Sequence, residues 1–192
     1  MGGGGRRTPP QLVRPSCEAH ASFLEALAEY HAEGRHLELP ADLLADPSEF
    51  ARYVAALRAD VDHPGESLRY VAALGGAPQP VPWPDGYVPQ STYWWVAGGE
   101  YLGRLAIRHR LTPHTRLEGG HIGYEVRPSA RHRGHATAML AAAPPLAAAL
   151  DIEFARLDCE DDDAASRRVI EKSGGRLERR EAGSLYFLVP TR

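Results

Sequence analysis

Between residues 46 and 60 the apolar positions Phe50, Val54 and Leu57 recur three and four apart among polar neighbours, the stripe of a helix buried along one face. Ser48 stands where such a helix needs a cap. SCEAHASFLEALAEYHAEG (16–34) reads as a second helix, opened by Ser16 and ended by Gly34. In STYWWVAGGEYLGRLAIRHRL (91–111) two β-rich runs flank Gly98-Gly99, the pattern of a hairpin. Period-two alternation there sends Trp94 and Trp95 to opposite faces, so at most one of them lines a cleft and packing is the plainer role for both. QLVRPS, HIGYEVR and FARLDCE supply further strands, and GRLERREAGSLYFLVP a closing hairpin. Helices are expected over 134–150, where Pro144 and Pro145 must kink or reset the first turn, and over DAASRRVIEKSGG, which a glycine pair ends. Residues 75–90, rich in glycine and proline, form a loop.

This order predicts an α/β fold: a single domain over residues 11–192, with a mixed central β-sheet flanked by about four helices. The glycine-rich residues 1–10 precede it as a disordered tail.

Composition narrows the class. The 192 residues are 43% hydrophobic, enough for one sizeable core, and the net charge of −3 argues against a general nucleic-acid binder. Cys17 and Cys159 form no CxxC, so neither a disulfide scaffold nor a thiolate zinc site is expected. No apolar run reaches membrane-spanning length and no secretory-type opening is visible, which points to a cytoplasmic protein without a membrane partner.

The chemistry concentrates in RPSARHRGHATAML (127–140), where three arginines, two histidines and a glycine lead from a strand into an alanine-rich helix. A helix start leaves backbone N–H groups unpaired and carries partial positive charge. Arg131 and Arg133 add charge-assisted donors suited to phosphate, and Gly134 lets the backbone approach a bulky anion. This is a phosphate cradle with neither the GK[ST] nor the GxGxxG signature. An exposed basic loop with an ordinary cap is the plain alternative.

Arg131-His132-Arg133-Gly134-His135-Ala136 resembles the [QR]xxGx[GA] pyrophosphate loop of the GNAT superfamily of N-acetyltransferases. The strand before it, the helix after it and the later DCEDDDAASRRVIEKSGG follow that family's order, over about residues 90 to 178. GGHIGYEVRPSARHRGHATAML looks like a branch of acetyltransferases whose acceptors are mostly unassigned. The resemblance implies transfer of an acetyl group from acetyl-CoA, as cosubstrate, to a primary amine that attacks directly in a ternary complex. It implies that loop amides from Arg131 through His132, Arg133, Gly134 and His135 to Ala136, continuing to Thr137, hold the CoA pyrophosphate. It also implies that the amide near Val126 polarises the thioester carbonyl, and that Asp163 and Ser166 meet the pantetheine arm. Cys159 is then a buried strand residue, not a nucleophile. Two departures stand out. Asp163 replaces the usual asparagine and loses its amide donor. Ile170 occupies the place where many relatives carry a tyrosine that protonates the leaving thiolate, so water or another group must serve.

The attacking amine must be neutral, which at pH 7 costs about 4.6 kcal/mol for a lysine-like amine and about 1 kcal/mol for an α-amine. Candidate bases are His121 and Glu125, on one face of their strand if it carries no bulge, and Asp158 on FARLDCE. A satisfied strand histidine and solvent-facing carboxylates are the bland alternatives. The acidic run Glu160 to Asp163 reads as helix capping rather than a metal site, and the His132–His135 spacing lies within the anion loop, so no metal is expected. The acceptor is read as a small-molecule amine of unknown identity. A protein or peptide N-acetyltransferase is the competing enzyme reading, and a non-catalytic acyl-CoA-binding module the reading of another class. A homodimer is compatible with all three.

Overall fold

The computed structural model describes residues 8–75 and 86–192. Most of the expected tail and the middle of the 75–90 loop therefore lie outside the described residues. In chain order the elements are β1 (Gln11–Val13), a single 3₁₀ turn, α1 (His20–Ala32), α2 (Ala41–Leu44), α3 (Pro47–Ala59), α4 (Glu66–Ala73), β2 (Gln90–Ala97) and β3 (Glu100–Arg108). Then come α5 (Pro113–Leu117), β4 (Ile122–Val126), a second 3₁₀ turn (Pro128–Ala130), α6 (His135–Ala141), α7 (Pro144–Ala148), β5 (Phe154–Glu160), α8 (Ala164–Lys172), β6 (Arg176–Glu181) and β7 (Ser184–Pro190).

The α/β architecture is as the pattern predicts, with the strands in two sheets ordered β1-β2-β3-β4 and β5-β7-β6. Where a mixed sheet was expected, every ladder is antiparallel. The two sheets meet where the His121 amide donates to the Arg156 carbonyl at 2.7 Å. Helices α1, α3, α4 and α8 have eight residues or more. The short α2 and α5 carry too few turns to show an apolar period, and neither α4 nor these two stands out in the sequence. The proline pair splits the expected 134–150 helix into α6 and α7, because prolines supply no N–H to continue the ladder.

One cap differs from expectation. Asp46, not Ser48, caps α3: its carboxylate accepts from the Ser48 and Glu49 amides, while Pro47 occupies the first helical position. Ser16 does cap the opening turn before α1.

Trp94 and Trp95 mark the two sides of the four-stranded sheet. Trp94 packs with Phe23, Phe50, Tyr53 and Tyr101 under α1 and α3. Trp95 joins Leu105, Met139, Leu157, Ile170 and Phe187 under α6 and α8. Each large side chain so buried stabilises the fold by about 2–3 kcal/mol. Both indoles are buried, so packing is their main role.

Candidate active site

Strand β4 is regular and has one free edge. The Arg127 amide donates to the Leu102 carbonyl, and the register pairs Val126 with Gly103 and Glu125 with Arg104 without a bulge. Odd-numbered amides of β4 thus point at β3, and those of Tyr124 and Val126 point away from it, toward β5. Neither finds an acceptor among the described residues. The gap between β4 and β5 begins after a tight junction at Gly120, whose backbone has φ +52°; a Cβ there would lie 2.3 Å from the Arg156 carbonyl oxygen. Only glycine allows the strands so close.

Past Val126 the chain makes the 3₁₀ turn and enters α6 through His132, at φ +61°, and Gly134, at φ +81°. No side chain caps α6, and the amides from His132 to Thr137 find no acceptor among the described residues. The result is an uncapped run of N–H groups at a helix start. Gly134 is needed for its left-handed backbone rather than for room, since the space around an added Cβ is open.

The side chains of the loop divide differently from the sequence expectation. Arg131 makes a bidentate ion pair with Glu33 of the α1 end, 2.7 Å at each nitrogen, and its Nε donates to the Val126 carbonyl. Its charge is therefore already matched. Arg133 is exposed and has no ion pair among the described residues. His135 turns inward, its Nδ1 accepting from the Trp95 indole at 3.2 Å, and so takes no part with His132 in a metal site. Across the gap, Asp163 caps α8 by accepting from the Ala165 and Ser166 amides. Cys159 is a buried free thiol pushed up to about 11, chiefly by burial.

On the other side of the sheet a cleft of about 410 Å³ lies over β3 and β4, walled by Leu57, Asp60 and Ser67, with Arg104, Arg108 and Glu125 on its floor. Its outer wall is fixed by the buried Asp60, which accepts from both the amide and the hydroxyl of Ser67. Glu125 is surrounded by donors: Arg104 Nε at 2.5 Å, Arg35 Nη2 at 2.7 Å and His36 Nε2 at 2.9 Å. Burial alone pushes its carboxyl up, but the Arg104 charge and the His36 hydrogen bond outweigh that and hold it at about 2. His36 sits between Glu125 and Glu38; burial pushes its ring down, and the two carboxylates more than offset this, so it is raised.

A model of the "Acetyltransferase (GNAT) domain" family matches residues 23–176, most of the chain. This chain belongs to the GNAT acetyltransferase family. It is thereby an acetyl-CoA-dependent N-acetyltransferase, with acetyl-CoA as its cosubstrate. Solved structures share the acetyltransferase fold at low identity. A RimL ribosomal L7/L12 alpha-N-protein acetyltransferase (apo) aligns at TM-score 0.57 and 15% identity, over 95% of this chain and 91% of that one. The microcin C7 self-immunity acetyltransferase MccE, in complex with acetyl-CoA and AMP, aligns at 0.59 and 10%, over 95% and 92%. Mycobacterium smegmatis RimJ in complex with CoA-disulfide aligns at 0.59 and 18%, over 96% and 86%. No curated protein sequence matches the acetyltransferase.

Of the three bases expected from the sequence, the acetyltransferase brings only Glu125 to the cleft, and its oxygens are already committed. His121 spends its Nδ1 lone pair on the Arg156 amide at 3.0 Å, which leaves the ring proton on Nε2 and no basic nitrogen to offer. Asp158 is pushed up by burial but accepts from the Gly119 amide and does not line the cleft. The sequence also gave no notice of Arg35, His36 and Arg104 around Glu125, or of the Tyr124 hydroxyl. Strand alternation was the one available signal, since it sets Tyr124 on the face opposite Glu125.

This makes His121 a pin between the sheets. Burial, with help from Arg116, Arg156 and Arg108, lowers it to about 4. A group lowered on folding contributes stability above its unfolded value, about 6.5, and that contribution drains away as pH falls through the folded one. Stability should therefore decline from about pH 6.5 to pH 4, and His121→Gln should flatten that slope in urea titrations at several pH values. The variant should keep the wild-type pH–rate profile; loss of an enzyme ionisation from that profile would restore histidine as the base.

Proposed function

We propose that the acceptor is a primary amine of low basicity, an α-amine, carried by an amino-acid-sized molecule that enters the cleft over β3 and β4. The observation that carries this reading is the shortage of an available base at the cleft: Glu125 is held at about 2 among three donors, and the His121 lone pair is occupied. Neutralising a lysine side chain at pH 7 costs about 4.6 kcal/mol, and an α-amine about 1 kcal/mol. A site without a strong base handles the second and not the first. The cleft volume lies in the range for small ligands.

In this proposal residues 11–192 act as one domain. The CoA pyrophosphate rests on the amides of His132, Arg133, Gly134, His135, Ala136 and Thr137, with the Arg133 side chain, which has no ion pair among the described residues, as the cation. The free Val126 amide meets the thioester carbonyl in the β4–β5 gap, and Asp163 and Ser166 at the start of α8 border the arm. Arg131 acts through position, tying the loop to α1. Glu125 organises Arg35, Arg104 and His36, and the amine gives its proton to water.

A second acceptor is a protein N-terminus, which offers the same α-amine; RimL, the ribosomal L7/L12 alpha-N-protein acetyltransferase that shares the fold, supports this reading. Thiol release from acetyl-CoA, measured with amino acids, their small derivatives, short peptides and lysine ε-amine acceptors, tests the proposal. The α-amines should exceed the ε-amines by about tenfold or more in kcat/KM. The rate should rise with pH up to the pKa of whichever acceptor is used. A preference for ε-amines, or a pH profile fixed by the enzyme whatever the acceptor, overturns the proposal. CoA binding with no turnover on any of these amines would overturn the α-amine proposal and place the acceptor in another class.

A further inference from the structure

The hydroxyl of Tyr124 is buried beside the Ser166 side chain and makes no hydrogen bond of good geometry among the described residues. Such groups are rare, because a buried donor that finds no acceptor loses its bonds to water without replacement. The position of this one is informative. Tyr124 lies on the β4 face that packs with Val169 and the α6–α8 core, two residues before Val126 and on the same side of the strand. The polar and titratable groups around its hydroxyl are Ser166 and Asp163 at the start of α8 and Cys159 on β5. Its side chain therefore spans from β4 to the far bank of the gap in which the Val126 amide is also unpaired. Burial, opposed by the Ser166 side chain and helped by Asp163 and Cys159, pushes the phenol up to about 12 and keeps its proton in place. At position 170 the chain has a buried isoleucine, which has no proton to give.

We propose that Tyr124 is a catalytic residue whose hydroxyl donates a hydrogen bond to the thioester sulfur as it leaves, the role left open by Ile170. The inference rests on the acetyl-transfer reading of the β4–β5 gap. As the acceptor nitrogen forms its bond to the carbonyl carbon, the carbon–sulfur bond breaks and its electron pair stays on sulfur. The proton of the attacking amine goes to water. Tyr124 keeps its own proton and stabilises the thiolate, which is protonated by solvent after release. A phenol with a raised pKa suits this role, since it stays a donor throughout the neutral range.

The test is Tyr124→Phe, which removes only the oxygen. It should bind acetyl-CoA within about twofold of wild type by calorimetry and lose about tenfold or more in kcat. The decisive readout is the pKa of the thiol of bound CoA, followed by ultraviolet thiolate absorbance with desulfo-CoA as the blank. It should rise by about one unit in the variant, corresponding to one lost hydrogen bond to the anion. Fluorotyrosine at 124, nearly isosteric and a stronger donor, should move it the other way, and serves if the phenylalanine variant does not fold. An unchanged bound-thiol pKa and wild-type kcat overturn the proposal for Tyr124 alone. Failure of the wild-type protein to bind CoA would instead overturn the acetyl-transfer reading of the gap.

Discussion

Gly134→Asp is expected to weaken CoA binding by about a hundredfold or more while leaving the protein folded. Two effects act together. The position has φ +81°, where a non-glycine residue is strained, although nothing crowds the side chain. The added carboxylate also stands beside the proposed pyrophosphate. Two like charges about 5 Å apart repel by about 3 kcal/mol at an effective dielectric of 20, and every 1.4 kcal/mol is about tenfold in affinity. Gly134→Asn separates the two, because asparagine tolerates left-handed backbone and brings no charge. It should lose about tenfold or less. A folded Gly134→Asp protein with CoA affinity within about threefold of wild type, by calorimetry, would falsify the placement of pyrophosphate on this loop.

Glu29→Ala is expected to cost about 3 kcal/mol of stability, from one residue on α1 that no sequence motif marks. The Glu29 carboxylate accepts from Arg127 Nε at 3.1 Å and Nη2 at 2.5 Å, and from the amide and hydroxyl of Ser129, each at 2.8 Å. Arg127 is 5% exposed, so removing Glu29 takes its hydrogen-bonded counter-charge from a buried cation. The other guanidinium contacts are the neutral Ser22 hydroxyl and Tyr101 carbonyl and a longer ion pair, 3.7 Å, with the exposed Glu25, which offsets the loss only in part. These bonds also fix the turn that leads into the loop, so CoA affinity should fall with stability. Burial pushes Glu29 up, and the hydrogen bonds from Arg127 and Ser129 more than reverse this, so it is lowered overall. Its contribution is then complete above the unfolded value and lost as pH falls through the lower folded one. Denaturant unfolding of Glu29→Ala should show a lower midpoint at pH 7 and a smaller difference from wild type in acid. A midpoint corresponding to under about 1 kcal/mol of loss at pH 7 contradicts this account.

Much of the frame can be read from residues close together in the chain. FARLDCE is β5 from first residue to last, and Gly98-Gly99 turns the β2–β3 hairpin. The acidic run ends in an Asp163 cap, and Cys159 is a buried strand residue. In each case the cause is local: alternation, a turn glycine, or a carboxylate within reach of the next two amides. The Asp46 cap is local too, and was missed because Ser48 is also a good capping residue two positions on. Residues distant in sequence decide what the candidate bases touch. Glu125 becomes a saturated carboxylate through Arg35, His36 and Arg104, and His121 becomes a pin through the Arg156 amide.

By itself the sequence determined the class of chemistry, through the resemblance of Arg131–Ala136 to the GNAT loop, because a strand end, a glycine and a helix start lie there within a dozen residues. It also determined that Trp94 and Trp95 lie on opposite faces of β2, because alternation is a property of the strand alone. Only the tertiary structure decided which loop arginine is tied to Glu33, which candidate bases are spent on other bonds, and which hydroxyl is left without a hydrogen bond of good geometry in the β4–β5 gap. Protonation and hydrogen bonding depend on what lies within a few ångströms in space, and here those neighbours come from α1, β3, β5 and α8, up to about a hundred residues away along the chain.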